Sequence, residues 1–167
     1  VPKRTRLCNV TQTAIEAEFD DESQIDGGPI MFETTGTGVV FLLARVVFGG
    51  VLAFTGLNHF MDVEGMAGYA EFKGLPAPKL SVLGSGGLLV FGGLSVVTGV
   101  VPTVGAGALA LFLFVSAVMM HDFWRMEGEE AQNEMTSFLK NLFGVGGALA
   151  FLALAGTQWP YALNFGL

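Results

Sequence analysis

Two histidines occur in this chain, His59 and His121, and both stand where a long apolar run gives way to polar sequence. Histidine changes charge near neutrality and is the commonest metal ligand, so it is the residue type from which proton or metal chemistry would start. His59 follows Asn58, and Asp62 comes three residues later, within reach on a helix. His121 opens the stretch His121-Asp122-Phe123-Trp124-Arg125; Asp122 is its neighbour in sequence but does not share its face on a helix. With Lys140 and Asn141, placed just inside the last apolar run, the candidate site is Asn58, His59, Asp62, His121, Asp122, Trp124, Lys140 and Asn141.

Three roles fit that set. A bis-histidine haem needs two inward imidazoles at equal depth and room for a macrocycle. A quinone headgroup site needs a donor such as His or Lys, an aromatic wall such as Phe60, Phe123 or Trp124, and an opening to lipid. Plain interfacial anchoring needs only that His, Trp and Arg end helices at the headgroups. No catalytic residue is singled out and no metal site is expected. Cys8 is the single cysteine, which excludes an intrachain disulfide, a CxxC pair and a cysteine-ligated cluster.

The elements that must bring these residues together are four apolar runs, residues 39–60, 80–101, 103–120 and 138–155. As a helix rising ~1.5 Å per residue, the first reaches across a hydrocarbon core of about 30 Å; the last two are at the short end for a span. Hydrophobic residues make up 51% of the chain and charged ones only 14%, which places it among membrane proteins rather than ordinary soluble domains. The fold class is therefore all-α, an integral membrane four-helix bundle (residues 36–167) preceded by a polar acidic extension (residues 1–35). The predicted location is the cell membrane, as a multi-pass protein.

With four spans, the first and third helices end on one membrane face, side B, and the second and fourth begin there. Every candidate residue falls on that face, together with Lys73, Lys79 and the Gly74-Leu75-Pro76 turn. On the opposite face, side A, Arg45 is expected to snorkel to the interface, and Trp159 and Tyr161 to sit among headgroups. Residues 62–78 read as a loop with an amphipathic piece around Met66, Tyr69, Ala70 and Phe72, closed by Pro76 and Pro78. Residues 122–137 read as an acidic, helical connection before the fourth span. Gly49, Ala53 and Gly56, and Gly92, Ser95 and Gly99, make small-residue stripes suited to close helix packing. A faint repeat aligns residues 83–91 with 143–151. A transporter would need charged groups or broken helices near mid-membrane; the deepest hydroxyls are Thr55, Ser95 and Ser116, which gives transport little support.

The net charge of −7 and the lack of clustered Lys and Arg argue against nucleic acid as a partner. The acidic surplus would also suit a halophile. The basic start, Lys3, Arg4 and Arg6, leads into polar sequence, so the first apolar run is expected to act as the insertion signal. Lys73, Lys79, Arg125 and Lys140 make side B cytoplasmic by the positive-inside rule, and Asn9-Val10-Thr11 is a sequon compatible with an outside N-terminus. Expected partners are membrane lipid and other subunits of a membrane complex, the latter docking through residues 1–35.

From about Arg45 to Gly156 the chain resembles the DoxX family of small four-helix membrane proteins, which includes the DoxD-type subunit of thiosulfate:quinone oxidoreductases. The residues that carry the likeness are Arg45, Gly56-Leu57-Asn58-His59-Phe60, Gly74-Leu75-Pro76, the pair Gly92-Gly93, His121 with Phe123-Trp124, and Lys140-Asn141. The resemblance implies a subunit of a respiratory or quinone-linked oxidoreductase complex, often with no cofactor of its own. Quinone is then a possible ligand, nothing being bound covalently; a non-catalytic structural or assembly subunit is the alternative. Two features depart from the family: an acidic residue common in its second helix is absent over residues 86–93, and the acidic extension lies outside its pattern.

Overall fold

In a computed structural model the structure describes residues 35–166, which belong to the compact unit Thr34–Leu167. The acidic extension and its docking role lie outside the described residues. Five helices account for most of the rest: α1 (Thr35–Met61), α2 (Val63–Phe72), α3 (Pro78–Thr98), α4 (Pro102–Met120) and α5 (Gly128–Leu154), with a single 3-10 turn at Phe123–Arg125. Among the described residues, the β pairing is one isolated bridge between Val100 and Phe165. α1, α3, α4 and α5 are long and apolar enough to cross a membrane, and the protein is a multi-pass membrane protein, all-α as its sequence pattern predicts.

Local chemistry sets the breaks. Asp62 starts α2 by accepting the Gly65 amide on its side chain at 3.1 Å. Gly74 takes a left-handed φ of 76° after α2, and Pro78 begins α3 where its missing N–H costs nothing. Gly99, at φ 71°, ends α3, and Pro102 begins α4, so the hairpin turns within residues 99–101. One boundary differs from the sequence reading. The acidic connection and the fourth span are a single helix, α5, because residues 128–137 hold no proline and none of the turn chemistry that would separate them.

α1 packs on α3, α3 on α4, and α4 on α5, with α2 laid against α3. Without a hydrophobic drive between helices in lipid, small residues allow the backbones to approach. A Cβ on Gly56 would lie 2.6 Å from the Gly86 carbonyl, and one on Gly93 2.7 Å from the Ala53 amide, so the stripes serve helix packing. Across α3 and α4, Gly92 receives Leu109 and Gly105 receives Ser95. Outward faces carry Val40, Val47, Phe54, Leu111 and Phe143, a surface suited to acyl chains.

Arg45 corrects the sequence reading. It is fully buried rather than snorkelled, and its Nε donates to Val96 O at 3.0 Å, one Nη to Pro160 O at 2.8 Å and the other to Val97 O. The last four carbonyls of a helix have no intrahelical partner. Here Ser95 O takes the Gly99 amide, Val96 O and Val97 O take Arg45, and Thr98 O takes the Leu163 amide. A cation also suits the negative end of the α3 dipole. Trp159 is likewise buried rather than interfacial: its indole N–H donates to Leu154 O, and its ring lies 5.2 Å from the guanidinium, with Phe41 at 5.8 Å. Tyr161 is exposed, in keeping with an interface position.

Replacing Arg45 by Leu leaves three carbonyls without donors in a dry site, at about 1–3 kcal/mol for each. R45L is therefore expected to unfold several degrees earlier in detergent, followed by circular dichroism. R45K should not restore the midpoint, because one ammonium does not reproduce the guanidinium fork. A midpoint equal to that of the unaltered protein would contradict this role.

Candidate functional site

At the side B end the helices part around a cavity of about 880 Å³. Its walls are largely apolar: Leu52 from α1, Leu88 and Leu89 from α3, Phe112 and Leu113 from α4. Its polar lining comes from every helix. His59 and Thr55 belong to α1, Tyr69 to α2, Ser81 and Ser85 to α3, Ser116 to α4 and Asn141 to α5, with His121 just past α4 and Asp62 just before α2.

His59 occupies the last turns of α1, and its Nδ1 lies 2.9 Å from Thr55 O, one turn back. A carbonyl only accepts, so Nδ1 carries the proton and donates. His121 caps the C-terminus of α4, and its Nδ1 lies 2.8 Å from Glu134 Oε2 on α5. Tyr69 on α2 donates to Glu134 Oε1 at 3.1 Å and is also 3.1 Å from Met120 O. Three elements are thus tied by one carboxylate. Burial first, then the hydrogen bond and charge of Glu134, push the Tyr69 phenol above its usual range, so it stays protonated as a donor.

A second polar unit lies beside the first. Lys73 Nζ is 2.6 Å from Asp122 Oδ1, both side chains being mostly buried, and Arg125 stands 3.8 Å from Asp122 Oδ2. Burial, the largest single influence, would lower the Lys73 pKa; the hydrogen bond to Asp122 and the charges of Tyr69, Asp122 and Glu134 together outweigh it and hold the ammonium above the usual range. Lys73, Asp122, Trp124 and Arg125 line a smaller hollow of about 480 Å³, where Trp124 packs edge-on against Phe123 and Phe138.

The sequence candidates therefore divide. His59, Asp62, His121 and Asn141 line the large cavity, and Asp122 and Trp124 the small one. Asn58 is half-buried and Lys140 exposed, and neither lines the large or the small hollow. Asp62 serves as a helix cap, and the hydrogen-bond partner of His59 is Thr55. Glu134 and Tyr69 were missed. Glu134 lies one i, i+7 step before Asn141, on the same face of α5, a relation visible only once residues 128–154 are read as one helix. Among the described residues no three His, Cys, Asp or Glu side chains group as metal ligands.

The family model for DoxX matches residues 40–122. The chain belongs to the DoxX family. It is similar to the inner membrane protein YphA of Escherichia coli (strain K12), at 26% identity over 118 residues, which covers 71% of this chain and 84% of that protein. No solved structure matches it. The DoxX match takes in His59, Tyr69, Lys73, His121 and Asp122, while Glu134 and Asn141 come from α5, beyond the matched segment.

A lysine whose pKa is raised on folding adds stability in full below the unfolded value of about 10.5 and loses it as pH rises through the folded value. The Lys73–Asp122 pair should therefore stabilise this DoxX protein up to about pH 10 and weaken above it. K73M is expected to lack that alkaline step, whereas Tyr69 titrates in both proteins. Unfolding midpoints measured across this range check it, and parallel profiles for the two proteins would contradict it.

Proposed function

We propose that this DoxX-family protein is a membrane subunit of a quinone-linked oxidoreductase complex, with the large side B cavity as its headgroup site. The observation that carries the reading is that both histidines of the chain line one largely apolar cavity, each held in orientation through Nδ1. Ligand sites of this size typically combine apolar walls with a few placed polar groups. The residues fit the ring of a quinone–hydroquinone couple: Leu88, Leu89, Phe112 and Leu113 give a wall for an apolar ring and tail, Asn141 can donate to a ring oxygen, and His59 and His121 can accept from a ring hydroxyl. Gly84, Val115 and Met119 line the cavity and are exposed, so it communicates with the outer surface of the bundle. A quinone carries electrons and protons between membrane complexes, and the similarity to an inner membrane protein of Escherichia coli agrees with such a setting.

In this reading the chain itself positions a ring and exchanges hydrogen bonds with its oxygens. The acidic residues 1–35 dock the other subunits. H59Q and H121Q, introduced into the native complex in membranes, are expected to lower quinone-dependent turnover by about tenfold or more, the cost of a lost buried hydrogen bond. Unchanged turnover with the complex intact would sink the headgroup site and leave an assembly role. Deleting residues 1–30 should release partner subunits on native gels; retention of every subunit would remove the docking role.

A further inference from the structure

The polar lining of the large cavity is unequal in its donors and acceptors. Each hydroxyl of Thr55, Ser81 and Ser85 donates its one proton to a backbone carbonyl, Val51 O, Pro76 O and Val82 O, all at 2.9 Å. The Tyr69 hydroxyl gives its proton to Glu134 or Met120 O. Those four donors are spent within the protein. Both histidines are spent on the same side: with Nδ1–H committed to Thr55 O and to Glu134, the neutral imidazole presents Nε2 as a lone pair. Asp62 adds carboxylate oxygens, which accept only. The donors that remain for a ligand are the Asn141 amide and the Ser116 hydroxyl.

A quinone carbonyl offers lone pairs alone. Against Nε2 of His59 or His121 it sets acceptor against acceptor and leaves a buried nitrogen unsatisfied, a penalty large enough to govern selectivity. A hydroquinone hydroxyl donates to Nε2 and still accepts from Asn141 or Ser116, so it satisfies both kinds of group at once. Resting on the headgroup reading above, we propose that the cavity is selective for the reduced, hydroxyl-bearing form of its ligand, a hydroquinone ring on an apolar tail. Glu134 is then a positioning residue, which fixes the tautomer of His121 from α5 while Tyr69 holds its second oxygen.

The full chain in phosphatidylethanolamine–phosphatidylglycerol nanodiscs, titrated anaerobically at pH 8 with decylubiquinol and with decylubiquinone, tests this by calorimetry. The quinol should bind about tenfold or more tightly than the quinone. E134L, which removes the acceptor for Nδ1–H of His121, should narrow the preference by about threefold or more, His59 keeping its own lone pair, while E134Q, whose amide oxygen still accepts, should keep the preference in full; circular dichroism reports whether either variant loses its helices. Equal affinity for the two forms in the unaltered protein would overturn the selectivity and leave the headgroup reading standing. Binding of neither form would overturn both.

Discussion

The fold depends on closing one end of a bundle of apolar helices whose terminal carbonyls have no water to bind. Arg45 does this with one guanidinium, which donates to the last turn of α3 and to Pro160 in the C-terminal segment, under the rings of Phe41 and Trp159. In lipid an unpaired backbone group is costly, so a buried cation that satisfies three carbonyls is favourable where a lone charge would not be. The same contact fixes α1 against α3 in depth and rotation.

From that closed end the constraint runs along α1. Gly49 meets Gly93, and Gly56 meets Gly86, where a Cβ would also approach His59 Cβ at 2.9 Å. His59 is therefore placed by a continuous run of backbone contacts that starts beside Arg45. On the other wall, Gly144 accommodates Leu113 and Gly147 accommodates Phe48. The helices are tight where Phe41, Phe48, Phe151 and Trp159 pack and part toward side B, where polar side chains line the space. Rigid packing at one end thus pre-forms the cavity at the other.

Much of this was legible in the sequence, because apolar runs of membrane length and the positions of glycine and proline state their own consequences. The four spans, the small-residue stripes and the gathering of both histidines on one face follow from period and count. Arg45 and Trp159 were misplaced for a shared reason: cationic and aromatic residues near a span's end suit the headgroups equally well, and only the tertiary fold shows that the C-terminal segment folds back to cover them. Glu134 was obscured because its acidic neighbours Glu127, Glu129 and Glu130 read as a solvated connection. Its role appears only when α5 is continuous and α2 lies against the bundle so that Tyr69 reaches it. The pairing of Lys73 with Asp122 likewise joins a loop to a helix end across 49 positions, a relation no local pattern encodes.

On the proposed function, the cavity bounded by His59 and His121 receives a ring of the quinone class. An azidoquinone photolabel, irradiated in membranes that contain the full chain and mapped by mass spectrometry, tests it most directly. Adducts are expected on cavity residues such as Met66, Met119 and Met120, suppressed by excess decylubiquinol. Labelling confined to outward residues such as Phe143, and indifferent to the competitor, would contradict it.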